Sequence, residues 1–274
     1  IFVLQAPTKE LNEHKLIASM VGRDIGDTYS ALHRSVQKGP PLLMFDNVST
    51  GRLRDVSFTL HSGEILGIAG LAGSGRTEVA NAIFGVDAIT CGQILLDGRA
   101  VRFRNPSQAI KAGIALCPED RKEQGLVLSH SITDNVCMPV LGKLRKWPFL
   151  NTKACEALAV RAVKKYDIKT PTVDKLVVEL SGGNQQKVIL GRWTSDLLET
   201  KILILDEPTK GIDVKTKAEI YQTICNLAKQ GIGVIFISSE LTEVINVADT
   251  IIVMHNGSIA GSIKREDATE ENVL

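Results

Sequence analysis

An eight-residue segment combines glycines, a cation and hydroxyls at a spacing suited to holding phosphate: Gly70, Leu71, Ala72, Gly73, Ser74, Gly75, Arg76 and Thr77. It follows the apolar run Ile65–Ala69 and leads into a helical pattern. Glycines let the backbone curl around an anion, and the start of a helix adds partial positive charge. We expect the segment to bind nucleotide phosphates, with the Thr77 hydroxyl on Mg²⁺. A glycine-rich turn without a ligand is the alternative.

The cation of this segment departs from the phosphate-binding pattern G-x-x-x-x-G-K-[S/T], because Arg76 stands where lysine is expected. Lysine is a compact charge that fits between two phosphates. The guanidinium is larger, planar and suited to a forked contact. The sequence therefore predicts a site that binds nucleotide but hydrolyses it poorly.

Two adjacent carboxylates, Asp206 and Glu207, follow the apolar run Ile202–Leu205. A buried strand would deliver both to the carboxyl edge of a sheet, where ligands bind in open α/β folds. We expect Asp206 to hold Mg²⁺ through water and Glu207 to act as general base towards an attacking water. Pro208 comes next, so a plain strand end before a turn is the alternative.

A second candidate anion site lies at Ser181, Gly182 and Gly183, where another helical pattern begins. Serine is a favoured N-cap residue, and the two glycines leave backbone N–H groups accessible. Two phosphate-binding helix starts in one chain predict two half-sites that face each other across a dimer. An ordinary helix cap is the alternative.

The elements that position these residues alternate between strand and helix. Continuous apolar runs predict buried strands at Ile65–Ala69, Ile202–Leu205 and Val234–Ser238. Alternation and turn residues predict a half-buried strand at Leu53–Leu60 and hairpins at Gln93–Val101 and around Asn256-Gly257. Helical patterns lie at Glu78–Phe84, Ala154–Tyr166, Asn184–Ser195 and Lys217–Gln230. This order predicts an α/β fold.

The composition fits a globular chain without a strong overall charge. The 274 residues are 44% hydrophobic and 23% charged, and the formal net charge is +1. This balance predicts a sizeable core and gives no sign of nucleic-acid binding. The five cysteines lack metal-site spacing and fit a reduced, cytosolic setting.

One short stretch is both basic and aromatic: Lys143, Arg145 and Lys146 lie beside Trp147 and Phe149. The pattern favours a solvated basic face. Contact with a membrane subunit or with lipid headgroups is the alternative.

The start of the chain resembles its end. Residues Lys9–Ile17 follow the apolar run Ile1–Leu4, and they align without a gap with Glu266–Leu274, which follows a predicted strand. We therefore interpret residues 1–27 as the tail of a preceding homologous domain, although two unrelated amphipathic helices remain the alternative.

The segment 28–41, which ends in Gly39-Pro40-Pro41, is predicted to be a linker because the two prolines cannot continue a helix. The main domain is predicted over residues 42–274, with a helical subdomain at about residues 128–192.

Three motifs in order resemble those of ABC transporter ATPases over about residues 42–274. Leu180–Lys187 (LSGGNQQK) resembles the family signature, Gly70–Thr77 resembles Walker A, and Ile202–Val214 (ILILDEPTKGIDV) resembles Walker B followed by the D-loop. Pro118–Lys122 with Gly125-Leu126 resembles the stretch that replaces the Q-loop in the C-terminal ATPase domain of bacterial importers of ribose, galactose, arabinose or xylose. Arg76 and Ser239, within Ile237–Glu240, resemble the same domain, whereas Val21-Gly22-Arg23 resembles the end of the first domain in the same family.

The resemblance implies a P-loop NTPase fold of the ABC ATPase type: a mixed sheet core, an antiparallel β subdomain and a helical subdomain. It implies ATP and Mg²⁺ as cofactors, with Glu119 at the Q-loop position near the metal or the γ-phosphate. Asp213 stands at the D-loop aspartate, and Ser239 stands at the position of the switch histidine.

The resemblance also implies partners. These are a preceding ABC domain of the same polypeptide, membrane permease subunits and, indirectly, a periplasmic sugar-binding protein, with no nucleic acid. The expected location is the cytoplasmic face of the inner membrane, as a peripheral protein.

Three departures from the family pattern shape the functional hypothesis: Arg76 replaces lysine, Glu119 replaces glutamine, and Ser239 replaces histidine. Serine lacks the charge-tunable contact of histidine. We expect this domain's own site to hydrolyse weakly, and Ser181–Gly183 to complete the ATP site of the partner domain. Two alternatives stay open: a regulatory nucleotide-binding domain without turnover, and a soluble ABC protein acting on nucleic acid or ribosomes.

Overall fold

The computed structural model describes Pro7, Tyr29, Leu32 and residues 38–273 other than Trp147. Apart from Pro7, Tyr29, Leu32 and residues 38–41, the predicted tail (residues 1–27) and linker (residues 28–41) lie outside the described residues. Leu32 is buried, and the ring of Tyr29 stacks on Tyr221 with the centroids 5.8 Å apart. The predicted domain boundaries stay predictions.

The chain begins its regular structure with β1 (Pro41–Ser49), β2 (Val56–His61), β3 (Ile65–Gly70), α1 (Arg76–Phe84), β4 (Cys91–Leu96), β5 (Arg99–Val101), α2 (Pro106–Lys111) and β6 (Ile114–Cys117). It continues with a π-helical turn (Arg121–Gly125), α3 (Ile132–Cys137), a 3₁₀ turn (Met138–Val140), β7 (Arg145–Lys146), β8 (Phe149–Leu150), α4 (Thr152–Lys165), a 3₁₀ turn (Val177–Glu179) and α5 (Gly182–Trp193). The remaining elements are β9 (Ile202–Asp206), α6 (Val214–Lys229), β10 (Gly233–Ile237), α7 (Leu241–Val247), β11 (Thr250–His255), β12 (Ser258–Lys264), a 3₁₀ turn (Arg265–Asp267) and α8 (Glu270–Val273).

A six-stranded sheet in the order β12-β11-β3-β10-β9-β6 forms the centre of the molecule. Its strands are parallel except for β12, which pairs antiparallel with β11. Every residue of β9 and of β10 is buried, as expected for strands covered on both faces. The carboxyl ends of β3, β9 and β10 therefore meet at one edge, which is where the predicted site residues follow.

The two faces of this sheet belong to two apolar cores. Leu203, Leu205 and Phe236 pack with α5, α6 and α7 on one face. Ile204 and Ile235 pack on the other face with α1 and with the antiparallel sheet β2-β1-β4-β5. The one-residue alternation of a strand divides each apolar run between the two cores, which explains why the runs are continuous.

The predicted half-buried strand at Leu53–Leu60 begins at Val56 instead. Asp55 has φ 47°, a left-handed conformation that turns the chain just before the strand. Leu53 is buried in the loop that precedes it, so its side chain belongs to the core although its backbone does not belong to β2.

A helical unit made of α3, α4 and α5 packs together after β6. The buried guanidinium of Arg192 on α5 donates to the Gly125 carbonyl oxygen of the π-helical turn, and to the carbonyl oxygen and Oδ1 of Asn135 on α3. The predicted fold class is confirmed in all three parts: a mixed sheet, an antiparallel subdomain and a helical subdomain. Within the described ranges, no helix is long and apolar enough to cross a membrane.

Candidate functional site

The predicted phosphate loop connects β3 to α1 at the carboxyl edge of the sheet. Gly70, Gly73 and Gly75 have φ values of 146°, 77° and 108°, which side chains with a Cβ rarely adopt. The loop is held from outside by Gly257, whose N–H donates to the Ser74 carbonyl oxygen at 2.8 Å. The turn between β11 and β12 therefore shapes the loop, a contribution that the motif does not reveal.

Ser74 supplies a polar group that lacks a partner. Its Oγ is buried and, among the described residues, has no hydrogen-bond partner. A Cβ at Gly70 would lie 2.6 Å from this Oγ, so the loop is too tight for a side chain there. A buried, unsatisfied hydroxyl in a ring of glycines is the kind of group that a phosphate oxygen satisfies.

Arg76 is engaged at the sheet edge. Its Nη1 donates to the Ser238 carbonyl oxygen at 2.6 Å, and its Nη2 lies 3.4 Å from Glu207 Oε1. Both side chains of the ion pair are nearly buried, at 11% and 9% exposed. The lysine-to-arginine replacement thus joins the phosphate loop directly to the predicted general base.

Glu207 is held by contacts on both sides of its carboxylate. Arg76 approaches Oε1, while the Ser239 hydroxyl donates to Oε2 at 3.0 Å. Burial raises the pKa of Glu207, although Ser239 and Arg76 favour the ionised form. The backbone of Glu207 has φ 47°, a strained conformation for a residue with a side chain. The serine at the switch position therefore does contact the acid, as a neutral donor.

Asp206 is brought together with Thr77, as the Mg²⁺ prediction requires. The Asp206 carboxyl is buried, and burial raises its pKa to about 6 against the favourable hydrogen bond from Thr77. The negative charge of Glu119 raises the same pKa. Its own carboxylate pairs with Lys210 Nζ at 2.7 Å, so the contact of Glu119 with a metal stays a prediction.

The predicted signature begins α5, but its serine does not cap the helix through its side chain. Ser181 is at the N-cap position, and its Oγ accepts from Asn184 Nδ2 at 3.0 Å instead of from a backbone N–H. Ser181 therefore holds the predicted N-cap position, but its hydroxyl bonds Asn184 and not the backbone. The first-turn N–H groups are left available, which is what an anion site requires.

The two signature glycines also have a packing role that the sequence did not reveal. A Cβ at Gly182 would lie 2.6 Å from Arg121 Nη2, and a Cβ at Gly183 would collide with Thr216 Cγ2. Arg121 donates to the carbonyl oxygen of Lys210 at 2.6 Å. The signature, the loop after β9 and the Pro118–Lys122 stretch thus form one packed surface.

Asp213 caps α6. It accepts from the backbone N–H of Thr216 at 3.0 Å and from the Thr216 hydroxyl at 2.8 Å. Burial alone would raise its pKa, but these hydrogen bonds hold the pKa below its usual value. Because Thr216 also packs on Gly183, the D-loop aspartate fixes the helix that supports the signature.

A buried carboxylate that the sequence did not single out connects the site's loops. Glu243 on α7 is 1% exposed and accepts from Thr209, Ser238 and Lys217. Ser238 is the residue whose carbonyl oxygen holds Arg76. The sequence signal for Glu243 was a glutamate in the first turn of a short helix after a buried strand. Its partners Thr209 and Lys217 are distant in the sequence, so this signal did not indicate them.

The fold and the ordered loops at one sheet edge define an ATP-binding cassette. The family model described as ABC transporter matches residues 53–210, more than half of the chain, and the chain belongs to that family. A nucleotide-free ATP-binding cassette from an ABC transporter has a similar fold, with a TM-score of 0.70, 24% identity, and 85% of this chain and 95% of that one covered. A dimeric cassette bound to ADP and Pi also reaches 0.70, at 21% identity and with 82% and 99% covered.

Among individual proteins, the chain is similar to the ribose import ATP-binding protein RbsA of Lactococcus lactis, with 44% identity over 97% of this chain and 54% of that protein. It is similar to the arabinose import ATP-binding protein AraG of Yersinia pestis, with 45% identity over 97% of this chain and 50% of that protein. The chain spans about half the length of the curated relatives it matches.

Proposed function

We propose that this chain is an ATP-binding and ATP-hydrolysing domain that powers import of a monosaccharide through a membrane permease. The phosphate loop Gly70–Thr77 would bind ATP, Glu207 would activate water, and Ser181–Gly183 would contact the γ-phosphate bound by a partner domain. The ribose and arabinose import relatives support the transport role. The observation that carries the ATPase role is the meeting of the phosphate loop, the acid pair and Ser239 at one edge of the sheet.

Mg²⁺ fits the oxygen donors of this site. Thr77 and Asp206 form an adjacent hydroxyl–carboxylate pair next to the phosphate loop. Mg²⁺ is usually held by one or two carboxylates together with phosphates and water. When bound, the ion would neutralise phosphate charge, and its proximity would favour the ionised form of Asp206, whose pKa burial raises to about 6.

This domain's own site is proposed to be the weaker of two. The Arg76 guanidinium pairs with Glu207, and the Ser239 hydroxyl occupies the other carboxylate oxygen. A general base works best when a lone pair of its carboxylate is directed at water. The contacts with Arg76 and Ser239 occupy both carboxylate oxygens of Glu207, so we expect slow hydrolysis. The intact glycines at Gly182 and Gly183 leave the signature able to serve the partner.

The partners follow from the same reasoning. The first domain would precede this one in the same polypeptide, with residues 1–27 as its tail and residues 28–41 as the linker. The pair would act on permease subunits at the cytoplasmic face of the inner membrane, supplied by a periplasmic sugar-binding protein, with no role for nucleic acid. The similarity to import ATP-binding proteins over about half of their length supports this arrangement.

The test is ATPase turnover of the full-length protein that carries this chain. We expect Ser181→Arg to lower turnover by at least tenfold, because the new side chain occupies the space of the partner's γ-phosphate. Ser107→Arg adds the same charge at an exposed position of α2 and is the matched control. Unchanged turnover in Ser181→Arg together with abolished turnover in Arg76→Ala contradicts the proposed asymmetry.

A regulatory domain without turnover is the second candidate, and the Arg76–Glu207 ion pair is the observation that favours it. In that case the parent protein binds ATP with no turnover at all, and Ser181→Arg has nothing to lower. Equilibrium binding of ATP, measured beside turnover, separates the two candidates.

A further inference from the structure

A small hairpin in the helical unit is exposed on nearly all sides. The segment Leu141–Asn151 contains β7 and β8, and of its described residues only Leu144 is buried. Phe149 is 75% exposed, and Leu150 and Leu141 are 43% and 40% exposed. A folded protein seldom leaves neighbouring large apolar side chains in water without a partner for them.

The two strands of the hairpin place a cation opposite Phe149 and another opposite Leu150. Arg145 pairs with Leu150, and Lys146 pairs with Phe149, across the two short strands. Residues paired directly across antiparallel strands share a face. Each face of the hairpin therefore carries one basic and one apolar side chain, with Trp147 and Pro148 joining the strands in sequence.

The surrounding sequence concentrates positive charge at the hairpin. Four basic residues, Lys143, Arg145, Lys146 and Lys153, lie between Asp134 and Glu156, and no acidic residue lies among them. The whole chain has a net charge of only +1, so this local excess is offset elsewhere. A nearly neutral protein with one basic, aromatic projection has a preferred partner surface for that projection.

The base of the hairpin is firmly attached. Leu144 is buried in the core cluster that contains α3 and α4, and the Asn151 N–H donates to the Leu144 carbonyl oxygen at 2.9 Å. The Asn151 side chain then caps α4 through the Ala154 N–H. The exposed side chains are thus presented by a fixed support.

We propose that the hairpin Leu141–Asn151 is a membrane-contact site that binds anionic phospholipid headgroups through its cations and inserts Phe149 and its apolar neighbours at the interface. Anionic leaflets attract basic residues near the surface, and aromatic side chains prefer the headgroup level. A solvated basic face would need no exposed Phe149, Leu150 and Leu141 beside the charges. The inference rests on the proposed function for its location beside a membrane.

The test is co-sedimentation of the full-length protein, without permease, with vesicles of phosphatidylglycerol and phosphatidylcholine or of phosphatidylcholine alone. We expect binding to the anionic vesicles that weakens as salt is raised. Arg145→Gln/Lys146→Gln should lower partitioning about 30-fold, and Phe149→Ser about tenfold. The controls are Arg104→Gln/Lys111→Gln, which removes two exposed cations, and Val86→Ser, which removes an exposed apolar side chain.

Tryptophan fluorescence provides a second measurement, because Trp147 lies in the hairpin sequence, Trp193 is buried, and the Trp147→Phe variant separates the hairpin signal from every other tryptophan of the full-length protein. A blue shift on adding anionic vesicles that disappears in Trp147→Phe locates the hairpin at the interface. Equal binding by hairpin and control variants, or no vesicle binding, overturns the proposal. Binding that requires reconstituted permease subunits also overturns it, since the partner is then a protein.

The experiments distinguish failure of the membrane-contact proposal from failure of the proposed ATPase function. Hairpin variants should keep ATP binding and detergent-solubilised ATPase turnover at the parent level, because the hairpin does not form part of the nucleotide site. A parent protein that binds anionic vesicles without ATPase turnover contradicts the proposed function and leaves the membrane-contact site standing.

Discussion

At the scale of single residues, Arg76 connects the phosphate loop to the predicted general base. A lysine at this position would direct one charge at the phosphates, whereas the guanidinium reaches Glu207 and the Ser238 carbonyl oxygen. Nucleotide that recruits Arg76 must therefore first break a nearly buried ion pair. The replaced cation and the replaced switch residue act on the same carboxylate, so they are expected to be coupled.

Returning Arg76 to lysine and Ser239 to histidine, the residues of the family pattern, should activate this domain's own ATP site. Ser181→Arg is used as the background, because it is expected to silence the proposed partner site. In that background Arg76→Lys/Ser239→His should raise ATPase turnover by on the order of tenfold, since Glu207 regains a directed lone pair. Adding Glu207→Gln should remove the gain, and a gain that survives this substitution means that another residue is the base. Steady-state phosphate release is the measurement.

Glu243 should make stability depend on pH. Burial alone would raise its pKa, but hydrogen bonds from Lys217, Thr209 and Ser238 hold the pKa below its usual value. An acid with a lowered folded-state pKa stabilises the protein above its unfolded-state pKa, and this stability is lost as pH falls through the folded-state value. Glu243→Gln should therefore lower the free energy of unfolding by about 3 kcal/mol at pH 7 and by much less below about pH 4.

Urea titrations at both pH values check this prediction. Glu240→Gln is the matched control, because Glu240 also pairs with Lys217 but its side chain is 58% exposed. An equal loss of stability for Glu243→Gln at both pH values would show that its carboxylate matters through shape alone.

At the scale of elements, the Arg192 guanidinium joins two helices of the helical unit to each other and to the π-helical turn through three hydrogen bonds. Burial lowers the pKa of Arg192 to about 10, so the guanidinium stays charged at neutral pH. Its acceptors lie on α3 and on the π-helical turn, which begins two residues after Glu119. The turn that carries the Q-loop substitute is thus fixed to the helix that carries the signature.

Replacing this arginine should loosen the helical unit. Arg192→Met keeps most of the volume but leaves buried acceptors on Gly125 and Asn135 without their donor, at a cost of about 3 kcal/mol in the free energy of unfolding. Arg161→Met removes a 55% exposed arginine of α4 that pairs with Asp196, and should cost less than about 1 kcal/mol. Chemical denaturation measures the free energy of unfolding of both variants. An equal decrease in the two variants would refute the role given to Arg192.

At the scale of the whole molecule, the sequence predicts the elements that show a hydrophobic period or a characteristic glycine spacing. The three central strands and the two hairpins lie within a few residues of their predicted positions, because each is an apolar run bounded by turn residues. β6 and α3 were not predicted, since four and six residues are too short to show a period. The Arg76–Glu207 and Arg121–Lys210 contacts join residues far apart in the chain, so no local pattern contains them.

The hydrogen bond from the Gly257 N–H to the Ser74 carbonyl oxygen has a consequence for folding during translation. The phosphate loop is translated well before the turn that shapes it and before the strands β10 and β11 that flank β3. A nascent chain on the ribosome therefore cannot form a finished nucleotide site until nearly all of this domain has emerged. Premature termination before β11 would leave a chain with every Walker A residue in its sequence and no nucleotide site.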